Sequence, residues 1–351
     1  MELSNILFTI SILIISFSIN KYILLVLNRG KYSFLSDNNF NKPQAFHEAA
    51  TYRIGGIFIF YFLALSLTYL YFSKNFFYQE YISFCALFFF LGLLDDLKIN
   101  IAPKFRLAAM VLILVILITN NDFYIERTGL EFLNRLLTID IFSIIFISLC
   151  FLFIINGSNL IDGFNGLLSI HSLIIITVLF IINIQSGDMA HSYFLFFTIL
   201  AILTFLIFNF PRASIFLGDS GAYLLGALIA VAIIKTSISN PLISPFFFCI
   251  LLAYLFFEVF FSFFRKIFVA RQSPLLPDRK HLHMNLYKYL MKKNNSQLNL
   301  NYKVSLYINS TYFLLISPTF LLSQDGLFCR YYFFILLLVY VYLYKFISKK
   351  I

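Results

Sequence analysis

Runs of about twenty consecutive apolar residues, broken by short polar stretches, recur along the whole chain, and that is the length an α-helix needs to cross the hydrocarbon of a bilayer. Eleven such runs can be placed, near residues 6–27, 54–73, 77–94, 105–120, 138–155, 166–184, 193–210, 220–235, 241–264, 304–323 and 327–347. The runs are continuous rather than alternating, which excludes a membrane β-barrel. The first run lacks the basic start and small-residue cleavage site of a signal peptide, so it reads as a membrane helix. Only two intervening stretches could hold structure of their own, about 28–53 and 265–303. The pattern predicts one all-α integral membrane domain over residues 1–351: a polytopic bundle of about eleven transmembrane helices, with no internal repeat.

Composition agrees. Of the 351 residues, 61% are hydrophobic and 12% charged, half the charged share of roughly 25% that covers a soluble domain. The distribution of charge then sets an orientation. With the N-terminus outside, Arg29, Lys31, Lys42, Arg53, Lys98, Lys104, Arg106, Arg212, the basic loop 265–303 and the tail lysines all fall on the cytoplasmic side. Opposite them lie only Lys74, Arg127, Arg135 and Lys235. This is the asymmetry of cytoplasmic loops, so the net charge of +10 is topological and implies no nucleic-acid partner. The four cysteines, Cys85, Cys150, Cys249 and Cys329, show neither CxxC nor metal spacing and read as packing residues. Phe occurs 47 times and Trp never, a compositional bias without functional content.

Candidate chemistry lies where polar residues interrupt the apolar pattern, because an Asp at a helix centre costs roughly 2.5–3.5 kcal/mol to insert. There are four such clusters, all on the cytoplasmic side. Asp95-Asp96 closes the third run; adjacent carboxylates repel, and a divalent cation, a raised pKa or plain solvation at a helix end would each resolve that. Asn156, Asn159, Asp162 and Asn165 are three apart, so consecutive members share a helix face, and Gly157, Gly163 and Gly166 point to a broken stretch. Asp219 sits between glycines at a helix start, a place suited to a metal or phosphate, although Asp is also an ordinary cap. Arg279, Lys280, His281 and His283 lie in the long basic loop, where the histidines could bind phosphate, move protons or merely belong to a positively charged loop. Glu258, inside the ninth run, reads equally as a structural ion pair and as a site residue.

The order of these motifs resembles the polyprenyl-phosphate N-acetylhexosamine-1-phosphate transferase superfamily, glycosyl transferase family 4, from about His47 to His283. Asp95-Asp96 matches its aspartate pair, and Asn156 to Leu167 its Asn-x-x-Asn-x-x-Asp-Gly-x-Asp-Gly-Leu element. Gly218 to Gly221 matches its Gly-Asp-x-Gly-Ser element, Asp278 to His283 its histidine loop, and Arg53-Ile54-Gly55-Gly56 its Pro-Arg-x-Gly-Gly element. The departures are Asn165 for an Asp, Met284 for a third histidine, Ala222 for a Ser and Tyr52 for a Pro.

The resemblance implies a bacterial inner-membrane enzyme with cytoplasmic catalytic loops. It would transfer N-acetylhexosamine 1-phosphate from a UDP-sugar to undecaprenyl or another polyprenyl phosphate, releasing UMP. That step would initiate a cell-surface polysaccharide such as O-antigen lipopolysaccharide, common antigen or teichoic acid. It further implies Mg²⁺ or Mn²⁺ held by Asp219, and Asp95, Asp96 and Asp162 as catalytic groups. Arg53, Lys104, Asn156, Asn159, Asn165, Arg279, His281 and His283 would bind substrate. Alternatives are a phospho-N-acetylmuramoyl-pentapeptide transferase of cell-wall biogenesis and, outside the class, a transporter or an inactive scaffold.

Overall fold

A computed structural model describes residues 3–29, 36–37, 51–99, 101–269, 271–273, 280–293 and 300–351. Arg279 and the upstream His47 lie outside the described residues. In chain order the helices are α1 (Leu3–Arg29), α2 (Gly55–Lys74), α3 (Gln79–Asp96), α4 (Pro103–Asn120), α5 (Glu131–Leu137), α6 (Asp140–Ile161) and α7 (Leu167–Ser186). Then follow α8 (Met189–Asn209), α9 (Gly218–Ser239), α10 (Pro245–Leu251), α11 (Ala253–Phe264), α12 (Leu282–Lys293), α13 (Leu300–Ile316) and α14 (Gly326–Ser348). The protein is an all-α polytopic membrane bundle, and every run picked from the sequence carries helix.

The count of spans is smaller than expected. Among the described residues, eight helices are long and apolar enough to cross a membrane, or nine if α10 and α11, bent by 73°, form one span. The other two runs fall short for visible reasons. α3 carries Glu80, Asp95 and Asp96, and α13 has only 17 residues. Two short helices, α5 and α12, were not anticipated; α12 occupies the loop that follows the ninth run.

α9 is the hub. From Ser220 to Ile234 every residue is buried, the signature of a helix surrounded by protein on all sides. It packs along α3, α6, α2 and α7. Lipid-facing surface is instead supplied by peripheral helices, with Ile14, Leu112, Ile141 and Leu338 exposed on α1, α4, α6 and α14. Close approach of α3 to α9 depends on Gly92: a methyl group there would overlap the Asp219 carbonyl and the Ser220 backbone. Small residues at helix crossings are what membrane bundles use to bring backbones together. At the far end of the same pair, Lys235 of α9 donates to Glu80 of α3 at 2.8 Å.

A three-stranded patch ties the opposite end. β2 (Thr51–Arg53) pairs antiparallel with β1 (Ser36–Asp37) and parallel with β3 (Ile215–Phe216), in the register Arg53↔Phe216. Each of β2 and β3 leads into a helix, α2 and α9, and the Gly56 amide donates to the Leu217 carbonyl at 2.8 Å. The N-termini of α2 and α9 are thereby held side by side.

Gly92→Ala should separate α3 from α9, since overpacking a filled crossing costs about 1–3 kcal/mol. The expected result is a lower thermal midpoint of the purified protein in detergent; an unchanged midpoint would mean that this crossing has slack.

Candidate active site

Four chain segments meet at the end of the bundle held by the small sheet: the C-termini of α3 and α6 and the N-termini of α4 and α9. Asp96 makes the junction. It is 2% exposed. Its two carboxylate oxygens accept from the amides of Asp219 and Ser220, each at 2.9 Å. These are among the first amides of α9, which no preceding turn can satisfy and where the helix dipole favours a negative charge. Gly218 starts the helix at φ 78°, in the left-handed region that glycine tolerates. A Cβ on it would stand 2.6 Å from Asp96 Oδ2. Both oxygens of Asp96, which the family resemblance groups with Asp95 as catalytic, are engaged in capping.

Asp95, one residue earlier, points elsewhere, because successive residues of an α-helix are about 100° apart. Its Oδ2 accepts from Arg106 Nη1 of α4 at 2.6 Å. Asp219 projects from the first turn of α9, and its Oδ1 accepts from Asn159 Nδ2 of α6 at 2.7 Å. Asp162 is the residue just past α6. Its carboxyl is pushed up to about 8, first by burial and then by the negative charge of Asp219, with Arg53 pulling the other way. Arg53, delivered by β2, also acts on Asp95. The structure thus brings together Asp95, Asp162, Asp219, Asn159, Arg53 and Arg106, with Asp96 beneath them.

The remaining expected residues are placed differently. Asn156 turns its amide back to the Leu152 carbonyl at 2.8 Å, within its own helix. Asn165 donates to the Pro211 carbonyl at 3.0 Å, and its backbone amide donates to Asn301 Oδ1 at 2.7 Å. Its side chain therefore ties the turn after α6 to neighbouring segments instead of joining the carboxylates. Lys104 is exposed in the first turn of α4, two residues before Arg106. His281 and His283 do not reach into open space: they are 2% and 0% exposed. His281 Nδ1 lies 2.9 Å from Glu258 Oε2, and burial lowers the pKa of His283 to about 4.

Tyr223 was not singled out from the sequence. It is buried one helical turn beyond Asp219, and Asp219, Arg106 and Asp95 all act on it electrostatically. The available signal was the i, i+4 spacing from Asp219, which puts both on one face of α9.

Chemically, three carboxylates share this end with two guanidinium groups. Among the described residues no three acidic, histidine or cysteine side chains converge into a metal cage. Mg²⁺ does not require one: it binds through one or two carboxylates and takes its other oxygens from water and substrate phosphates. Asp162 and Asp219 fit that donor set. They are oxygen donors, they act on one another, and Asp162 accepts no hydrogen bond from the described residues. Its position at a helix C-terminus, where the dipole disfavours an anion, adds to the case for a cation.

Residues 79–237 match the family model described as glycosyl transferase family 4. The chain is 32% identical over 252 residues to the phospho-N-acetylmuramoyl-pentapeptide-transferase of Dictyoglomus turgidum, covering 69% of this chain and 76% of that one. It belongs to glycosyl transferase family 4. Other family members are similar over comparable lengths. The undecaprenyl-phosphate alpha-N-acetylglucosaminyl 1-phosphate transferase of Thermotoga maritima is 29% identical over 237 residues, 68% of each chain. The Yersinia pestis protein of the same description is 25% identical over 211 residues, 59% of this chain and 57% of that one. The family match spans α3 to α9 and so contains Asp95, Asp96, Arg106, Asn159, Asp162 and Asp219.

The two kinds of aspartate should separate on substitution. Asp219→Asn is nearly isosteric and should lower turnover at least about tenfold, on the order of 1.4 kcal/mol, with the thermal midpoint kept. Asp96→Ala leaves two buried amides unpaired, at about 1–3 kcal/mol each, and should lower the midpoint as well. Paired melting and turnover measurements decide; an Asp96→Ala protein as stable as the parent would overturn its capping role.

Proposed function

We propose that this family member transfers N-acetylhexosamine 1-phosphate from a UDP-sugar to undecaprenyl phosphate, as the initiating step of a cell-surface polysaccharide. The observation that supports this best is the convergence of Asp95, Asp162 and Asp219 with Arg53 and Arg106 at one end of an apolar bundle. A lipid phosphate attached to a long prenyl chain stays at the membrane surface, whereas a nucleotide sugar arrives from water. The site stands where both can reach it.

In the proposed reaction a non-bridging oxygen of the lipid phosphate attacks the β-phosphorus of the UDP-sugar. The bond from that phosphorus to the oxygen bridging the two phosphates breaks, and that oxygen leaves with UMP. The lipid then carries a diphospho-sugar. The attacking phosphate is largely ionised at neutral pH, its second pKa being about 6, so little base catalysis is required. The difficulty is repulsion between two anions beside carboxylates. Arg53 and Arg106 neutralise part of it, and phosphoryl transfer then needs chiefly positioning and charge stabilisation. Mg²⁺ or Mn²⁺, held by Asp219 and Asp162, supplies charge neutralisation of the diphosphate when bound. Asn159 holds Asp219 in place for that purpose, and Arg106 holds Asp95 where it could accept the proton that remains on a minority of the lipid phosphate.

The 32% identity to the Dictyoglomus turgidum relative favours a second reading, phospho-N-acetylmuramoyl-pentapeptide transfer. The two use the same phosphorus chemistry and differ in the sugar. UMP release should be measured from purified protein with undecaprenyl phosphate and either UDP-N-acetylglucosamine or UDP-N-acetylmuramoyl-pentapeptide. Turnover with the first alone is expected; turnover with the second alone selects the rival. Excess EDTA should abolish release and added Mg²⁺ restore it, and full activity in EDTA would remove the metal from the scheme.

We place the site in the cytoplasm of a bacterial inner membrane, with the N-terminus outside. In a background without the four native cysteines, Lys293→Cys should be shielded from an impermeant maleimide in intact cells. Glu126→Cys, beyond the far end of α4, should react. Labelling of both, or the reverse pattern, would invert or break this topology.

A further inference from the structure

Glu258 is a buried carboxyl group that the transfer scheme does not use. It lies on α11, 1% exposed. Two donors reach it, one on each oxygen: His281 Nδ1 at 2.9 Å from Oε2 and the Leu282 amide at 3.0 Å from Oε1. A carboxyl gives up its proton at lower pH than an imidazole does, and with a donor on each oxygen Glu258 is the ionised partner. An ionised carboxylate donates nothing, and so the proton on His281 is at Nδ1.

His283 follows the same logic. Its Nδ1 stands 3.2 Å from the Tyr254 hydroxyl and 3.8 Å from Glu258 Oε1. A hydrogen on His283 Nδ1 lies between the Tyr254 oxygen and the Glu258 carboxylate, whose negative charge favours it there. The two imidazoles are parallel, 4° between planes and 5.5 Å between centroids. With both Nδ1 atoms facing Glu258, both Nε2 atoms face away from it. For His283 that direction is toward the turn bearing Asp162. Its Nε2 is buried with no partner among the described residues. It lies 3.8 Å from where a Cβ of Gly163 would be, and Phe164 packs edge-on against the ring.

We propose that Glu258 is a positioning residue for the transfer reaction: it sets the tautomer and facing of His281 and His283, so that the His283 Nε2 is presented as a hydrogen-bond acceptor at the Asp162–Gly163 turn beside which the sugar-phosphate donor binds. Orientation of an imidazole by a carboxylate on its other nitrogen is a general device, and fixes which atom meets a ligand. The anchoring is reinforced from α14, where the Tyr344 hydroxyl donates to the Lys280 carbonyl at 2.9 Å. The proposal rests on the transferase reading for its kinetic consequence, but not for the tautomers.

The test therefore has two arms. Histidine-selective ¹⁵N spectra of the full chain in lipid bilayers, with His281→Asn and His283→Asn as assignment controls, should show the Nδ1–H form for both residues. Glu258→Gln should shift that balance toward Nε2–H. In the kinetic arm, Glu258→Gln should raise KM for UDP-N-acetylglucosamine about tenfold, the lower end of what losing an imidazole-orienting partner costs, with KM for undecaprenyl phosphate within about twofold. Glu258→Asp should recover part of the loss. Nε2–H tautomers in the parent protein, or a Glu258→Gln variant with unchanged spectra, would overturn the proposal. So would equal changes in both KM values, which a merely structural role would give. If the parent releases no UMP from any UDP-sugar, the transferase reading falls while the spectra still decide what Glu258 does.

Discussion

The contact between Asp96 and the head of α9 is the one on which the site depends. α9 is enclosed by protein, so its first amides cannot turn to water, and a buried amide left unpaired costs about 1–3 kcal/mol. Asp96 supplies two acceptors from another helix. In doing so it fixes how close α3 comes to α9 and how α9 is rotated about its axis. Gly218, at positive φ, lets the chain pass beneath the carboxylate. Asp219 is the next residue, so its direction is a consequence of the cap and not an independent choice.

The other charged groups reach the same place by separate routes. Arg53 comes with the strand that pairs beside β3, Arg106 with the first two turns of α4, and Asp162 with the end of α6. None of these elements carries a complete site. Convergence is possible only at the end of the bundle, where backbone may be irregular and charge can be hydrated; deeper in the membrane the same residues would be costly to insert. The proposed reaction, between a membrane-held phosphate and a soluble nucleotide sugar, would have its chemistry at that boundary for the same reason.

Two carboxylates sealed from water, Asp96 and Glu258, are each met by a donor on either oxygen. Asp96 has two amides, and Glu258 has an imidazole and an amide. The less enclosed carboxylates, Asp95 and Asp219, have one side-chain partner each and open positions remaining. That difference separates groups that hold the structure from groups able to meet a ligand.

The apolar runs were enough to determine the class, because membrane insertion depends on local composition over about twenty residues and not on distant contacts. The helix positions followed for the same reason, and so did the clustering of polar residues between them. The number of spans was less legible. Length and charge set α3 and α13 below the rest, and the bend between α10 and α11 leaves its pair countable as one span or none. The motifs, in their order, pointed to the family. What they did not contain was the division of labour within them. Asp95 and Asp96 are adjacent and identical, and only the approach of α9 makes one a cap and leaves the other to Arg106. Asn165 and Asn159 belong to one periodic set, yet the broken backbone after Ile161 sends one to Pro211 while the other meets Asp219. The histidines read as loop residues because the loop is basic, and their burial depends on Glu258, more than twenty residues away in the chain. Residue type and spacing are properties of the chain; which partner a polar group finds depends on the packing of helices far apart in sequence, and the tertiary structure alone decided it.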